Sequence, residues 1–173
     1  MRVRLAAISL IMVSALALAG CGTASEDRAG SDSAPAATGT VDYDFTSATL
    51  DGGTFDGRSL AGKPAVLWFW APWCPTCLGQ APHVNALAKN YAGKAHVVGV
   101  AGLDSVSAMH DFVGKTKLSG FPQLADEQGE VWKRFGVTEQ STFVVLDGSG
   151  GIVEHGSKDV AALPDTLDKL LAG

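Results

Sequence analysis

The sequence predicts an α/β fold, a mixed sheet flanked by helices on both faces, with a β-hairpin ahead of it. Three observations carry this. Apolar runs of strand length, Pro64–Trp70, His96–Ala101 and Thr142–Leu146, are separated by segments of helical periodicity. A helix-patterned segment joins the first two runs, which makes a crossover and hence parallel pairing. The third run turns through Asp147-Gly148-Ser149-Gly150-Gly151 into Ile152–His155, an antiparallel hairpin.

In chain order, order is expected from Tyr43 or Phe45. Phe45–Leu50 and Thr54–Asp56 flank Asp51-Gly52-Gly53, which is hairpin punctuation. Gly62 and Lys63 precede the first apolar run and Pro72 ends it. Alternate residues of a buried strand suit core packing, so Phe69 and one of Trp68 or Trp70 are assigned to the core. Cys77, Ala81, Val84, Ala88 and Tyr91 then recur at alternating spacings of four and three, one face of a helix. Pro75 fits its first position, and Pro82 is expected to kink it near Leu78–Pro82.

Asp104 or Ser105 can cap a further helix after the second core strand, with Val106, Met109 and Val113 on one face. Phe121–Leu124 reads as extended, and Glu130–Phe135 as a short helix ended by Gly136. The last helix carries Pro164 in its first turn and is expected to bury Leu163, Leu167, Leu170 and Leu171.

Chemistry concentrates at Cys74 and Cys77. A cysteine at a helix N-terminus meets unpaired N–H groups and the positive end of the macrodipole, and both favour the thiolate. Cys74 is therefore expected to be the exposed attacking sulfur. Cys77, one turn on, is close enough to resolve a mixed disulfide. A zinc half-site is the plain alternative, but zinc needs three or four protein ligands. His83 lies elsewhere around the helix, and His96, His110 and His155 are scattered. No metal and no other cofactor is expected, although two soft thiols leave a Cu(I) carrier open.

The two ends of the chain differ in kind. Met1–Arg4 is basic, Leu5–Leu18 almost wholly apolar, and Leu18-Ala19-Gly20-Cys21 small. Residues 1–20 read as a secretory signal, with an apolar run short for a membrane span. Gly22 to about Thr40 holds no large apolar residue, so residues 21–43 read as a flexible tether and 44–173 as the one domain. The formal charge of −5 becomes −7 once Arg2 and Arg4 leave with the signal. No basic patch is visible, which argues against nucleic acid and against electrostatic membrane binding. Export would place the remaining cysteine pair where disulfides persist. A bridge closing so short a loop does little for stability.

Two resemblances add to this. Leu18-Ala19-Gly20-Cys21 resembles the bacterial lipobox, which implies cleavage before Cys21 and lipid on its sulfur. Trp70-Ala71-Pro72-Trp73-Cys74-Pro75-Thr76-Cys77 resembles the thioredoxin active-site segment. Three further features make Phe45–Leu171 similar to the membrane-tethered TlpA/ResA/DsbE-like redoxins: the early hairpin, the helix around Ser105–Lys115 as an insertion, and Gly136-Val137 before Phe143. That resemblance implies a thioredoxin-like fold. It also implies an extracytoplasmic protein-disulfide oxidoreductase held to the cell membrane by lipid alone. Such an enzyme exchanges disulfides with exported proteins and a membrane redox partner. A monomer is expected.

In this reading Cys74 is the nucleophile and Cys77 the resolving thiol, with Trp73, Pro75, Thr76, Ser141 and Thr142 beside them. Three positions depart from the family. Ser141 stands where a cis-proline is usual. A cis bond before serine costs about 2.5–4 kcal/mol, so a trans Gln140–Ser141 bond is expected, with the Ser141 N–H or hydroxyl near Cys74. Trp68 replaces a buried acid, and Gln80 replaces a glutamate three residues after the second cysteine. Neither replacement accepts a proton. Glu139 is the nearest substitute by loop position. A peroxiredoxin-like peroxidase is the enzymatic rival, but Ala71 stands where that motif carries threonine.

Overall fold

β3, Ala65–Trp70, is the centre of the fold, and all six of its residues are buried. The computed structural model describes residues 39–173. The signal segment 1–20, Cys21 and the tether as far as residue 38 lie outside the described residues.

Parallel to β3 runs β4 (His96–Ala101), from Ala65 opposite His96 to Trp70 opposite Ala101. Between them lies α1 (Pro75–Asn90), the crossover helix. On the other side of β3, β6 (Thr142–Leu146) pairs antiparallel and turns back as β7 (Ile152–Ser157). β5 (Gln123–Ala125) pairs parallel to β4, giving the order β5-β4-β3-β6-β7. A separate hairpin of β1 (Thr46–Ala48) and β2 (Thr54–Asp56) precedes the sheet. The remaining helices are α2 (Val106–Thr116), α3 (Glu130–Arg134) and α4 (Leu163–Ala172).

Strand alternation splits the core in two. Val66, Trp68 and Trp70 face one cluster with Val84 of α1, Met109 and Phe112 of α2, and Leu163 and Leu167 of α4. Ala65, Leu67 and Phe69 face the other, with Val131 and Trp132 of α3 and, at its edge, Tyr43, Phe45 and Phe55. Phe69, Trp68 and Trp70 are thus all core.

Several details differ from the pattern-based expectation. On α1, Gln80 and Leu87 are buried, whereas Ala88 is only half-buried. On α2, Phe112 is buried beside the expected Val106, Met109 and Val113, stacked on Trp70. Leu171 of α4 is exposed, since the helix turns only part of its apolar stripe, Leu163 and Leu167 with Leu170 beside them, toward the core. Ahead of residue 44 the chain is already paired. The Ile152 N–H donates to the Gly39 carbonyl and the Val41 N–H to the Gly150 carbonyl, both at 2.9 Å. Backbone pairing to the edge strand needs no side-chain pattern, so nothing in the sequence marks it.

α1 and α4 are tied at their ends. The Tyr91 hydroxyl donates to Asp168 Oδ1 at 2.8 Å, with the Pro164 carbonyl at 3.1 Å. Burial, then the Asp168 carboxylate, pushes Tyr91 up to about 12. Burial and Asp147 also hold Tyr43 above its ordinary value. A raised phenol contributes stability that is complete below the unfolded value near 10 and lost as pH rises through the folded one. Phenolate absorbance should therefore lag behind free tyrosine, with a step near pH 12, and unfolding free energy should fall across that window. Tyr91→Phe should lower stability at neutral pH by about 1 kcal/mol and flatten the alkaline loss.

Candidate active site

At the end of β3 the chain passes through Ala71-Pro72-Trp73 and enters α1. Cys74 is the residue that caps the helix. Its backbone is extended, and its Sγ accepts the Cys77 N–H at 3.0 Å. Pro75 occupies the first turn, where a missing N–H costs nothing. Cys77 follows one turn later, and the two cysteines form a disulfide with Cα atoms 5.3 Å apart. An N–H aimed at the sulfur, added to the helix dipole, favours the charged form once the pair is reduced. Cys74 stands at the expected helix terminus but is not the exposed sulfur that position suggests. It is only 3 % exposed, and Cys77 is fully buried, because both belong to the larger core cluster with Ala71, Ala81 and Trp70. Cys74 borders an opening at the surface.

That opening is a cleft of about 510 Å³ between the Cys74 segment and α2. Trp73, Cys74 and Leu78 line one side, and Ala108 and Phe112 of α2 the other, with Asp104, Asp111 and Lys115 supplying its charges. Trp73 is half exposed, and its indole donates to the Leu103 carbonyl at 3.3 Å. Leu103 adopts φ 61°, a conformation rare for a bulky residue, at the start of the loop that leads into α2.

The 139–142 loop reaches the same sheet end, since Thr142 pairs with Phe69. No cis peptide occurs among the described residues, so the Gln140–Ser141 bond is trans. Ser141 instead holds a left-handed backbone at φ 61°. The Thr142 hydroxyl donates to the Glu139 carbonyl at 2.9 Å, and the Glu139 side chain is exposed. None of Glu139, Ser141 and Thr142 lines the cleft; Thr76 is exposed on α1.

The two neutral replacements meet each other. The Trp68 indole donates to Gln80 Oε1 at 2.9 Å inside the core. Gln80 is one turn beyond Cys77 on the same buried face. One layer away, the Trp70 indole donates to Gln123 Oε1 at 3.1 Å. Gln123 fits because its β4 neighbour is Gly99, where a Cβ would come within 2.0 Å of that oxygen. Phe112 stacks on Trp70 with ring centroids 4.4 Å apart, which anchors α2 over the site. Gln123 and Phe112 escaped the sequence reading. The signal for Gln123 was a lone amide in an apolar extended run; Phe112 lay one residue off the face assigned to its helix. Among the described residues, no group of three or more His, Cys, Asp or Glu could hold a metal ion.

Residues 38–155 match the family of AhpC/TSA proteins. The chain belongs to the AhpC/TSA family. Within or beside that family, it is 45 % identical over 106 residues to the soluble secreted antigen MPT53 of Mycobacterium tuberculosis, covering 61 % of this chain and 60 % of the relative. The chain thus spans less than two thirds of the length of that curated relative. It is 27 % identical over 129 residues to the thiol-disulfide oxidoreductase ResA of Bacillus cereus, covering 73 % and 74 % of the two chains. The structure of MTB DsbF superposes with a TM-score of 0.70 at 47 % identity, over 76 % of this chain and 99 % of that one. The fold of this AhpC/TSA protein is thioredoxin-like, a mixed sheet with flanking helices and a small antiparallel hairpin.

Removing the acceptor at Gln80 should strand the Trp68 N–H. Gln80→Leu is expected to lower unfolding free energy by about 1–3 kcal/mol, while Gln80→Glu, which keeps an acceptor, should lose less; denaturant titration compares them. Ser141→Gly should leave stability unchanged or raise it by up to ~1 kcal/mol, because only glycine holds that backbone without a Cβ clash.

Proposed function

We propose that this protein is a thiol–disulfide oxidoreductase of exported proteins. The single observation that carries the reading is the Cys74–Cys77 disulfide at the start of α1, with Cys74 Sγ accepting the Cys77 N–H and bordering the cleft. In the reduced protein the Cys74 thiolate attacks one sulfur of a client disulfide. A Cys74–client bond forms and the second client sulfur leaves as thiolate, taking up a proton. The Cys77 thiol, losing its proton, then attacks Cys74 Sγ and releases the first client sulfur. Two electrons pass to the client, and the protein is left with the disulfide that the structure shows. Oxidation of a client dithiol is the same sequence reversed.

Gln80 and Trp68 hold a neutral hydrogen bond behind Cys77, so neither takes the Cys77 proton. Deprotonation of Cys77 must then depend on water or on a group brought by the client. This weighs against a fast reductase and leaves an oxidant or a slow exchanger. Ala71 is buried and has no hydroxyl to position a peroxide, so thiol exchange is preferred to peroxidase chemistry.

The proposal extends to location. Signal removal before Cys21 and lipid on its sulfur would fix the chain to the outer side of the cell membrane through a tether of about 25 Å root-mean-square length. No helix among the described residues is long and apolar enough to cross a membrane. A membrane redox partner would restore the working state of the pair. Labelled fatty acid should enter the wild type and not Cys21→Ser, which should leave the membrane fraction.

Cys74→Ser should abolish insulin reduction and refolding of a reduced disulfide protein, whereas Cys77→Ser should accumulate a covalent client adduct. Activity retained in Cys74→Ser would overturn the reading. The midpoint potential of the pair fixes direction: about −120 mV marks an oxidant and about −270 mV a reductant. Gln80→Glu should speed exchange near neutral pH by supplying a proton acceptor; an unchanged rate would remove proton transfer from the account.

A further inference from the structure

The opening beside Cys74 differs from the one the 139–142 loop would provide. Its far wall is α2, held over the site by the stack of Phe112 on Trp70. Its near wall carries two large exposed apolar residues, Trp73 and Leu78, on either side of the nucleophile's turn. The Trp73 indole is fixed by the Leu103 carbonyl, so the wall is set before anything binds. A cleft of about 510 Å³ with apolar walls suits a short extended segment rather than a folded surface.

Its charges are not balanced. Asp104 and Asp111 face Lys115 alone among the lining residues. The ion pairs found among the described residues are Arg58–Asp44 and Lys158–Glu154, so neither aspartate of the cleft is in one. Asp104 Oδ1 accepts the Ser105 N–H, while the Asp111 carboxylate stands exposed on α2 four residues before Lys115. The whole chain is also acidic, with a net charge of −5.

We infer that the cleft between Cys74 and α2 holds the client segment, and that Asp104 and Asp111 select client cysteines flanked by lysine or arginine. This rests on the exchange reading and deepens it by naming the substrate class. The apolar walls take a side chain next to the client cysteine, and the carboxylates take the cation beyond it. Lys115 limits the preference. No covalent step is added: the client sulfur attacks or is attacked at Cys74 Sγ as already described.

The test mixes the oxidised protein with two reduced dithiol peptides, alike except for lysine or glutamate flanking the cysteines. Peptide disulfide formation is timed, and each rate is divided by that peptide's rate with hydroxyethyl disulfide, a neutral reagent, to remove intrinsic thiol reactivity. The lysine peptide should react faster, and the ratio should shrink as salt is raised past the point where the screening length falls to about 10 Å. Asp111→Asn should lower the ratio by about two- to fivefold, the range one exposed ion pair supplies, and Lys115→Gln should raise it. Opposite movements exclude a general loss of folding. Equal ratios for the two peptides, or a ratio that neither variant moves, would overturn the inference while leaving exchange intact. If the oxidised protein oxidises neither peptide and the reduced protein reduces neither peptide disulfide, the exchange reading fails and this inference with it.

Discussion

Two indole N–H groups buried at the end of β3 are the constraint on which the rest of the site depends. Trp68 and Trp70 are fully buried, and a buried donor left without an acceptor costs about 1–3 kcal/mol. Each therefore has to be met by an acceptor from a different element, Gln80 from α1 and Gln123 from β5. The first hydrogen bond fixes the rotation of the cysteine-bearing helix against the central strand. The second fixes the edge strand, and with it the glycine in β4 that makes room for the amide. In a low-dielectric interior such pairs are stronger than in water and costly to break singly, so they specify one arrangement.

The same two rings also set the chemistry. Because Trp68 occupies Gln80 Oε1, the region behind Cys77 is neutral and donates no base. Because Trp70 stacks on Phe112, α2 stands where it closes the approach to Cys74 from one side. In the proposed exchange the groups that would activate Cys74 are backbone ones, the Cys77 N–H and the helix terminus.

Among the described residues, two of the three non-glycine residues with left-handed backbones lie on loops that lead into α2 and β6. Leu103 and Ser141 both hold left-handed backbones, one on the loop before α2 and one on the loop before β6. Each costs on the order of 1–2 kcal/mol relative to an ordinary conformation. The surrounding structure over-determines them: the Leu103 carbonyl accepts from Trp73, and the hydroxyl of the neighbouring Thr142 closes its own loop onto Glu139. Strain is expected at sites where a backbone must present a group in a fixed direction.

What the sequence alone determined follows from local rules. Apolar runs of two lengths separated strands from helices, the intervening helix made β3 and β4 parallel, and Pro75 after Cys74 placed the pair at a helix start. These depend on neighbours within a few residues and so are written in order along the chain. Tertiary structure alone decided the burial of Cys74, the meeting of Trp68 with Gln80, the stack of Phe112 on Trp70 and the pairing of Gly39–Val41 with the β7 hairpin. Each joins residues distant in sequence, or depends on which side of a helix faces a sheet. On α2, Phe112 joins Met109 and Val113 against the core, and local spacing alone does not mark how wide that apolar face is. Glu139 shows the same limit: its place along the loop was legible, and its exposure outside the cleft was not.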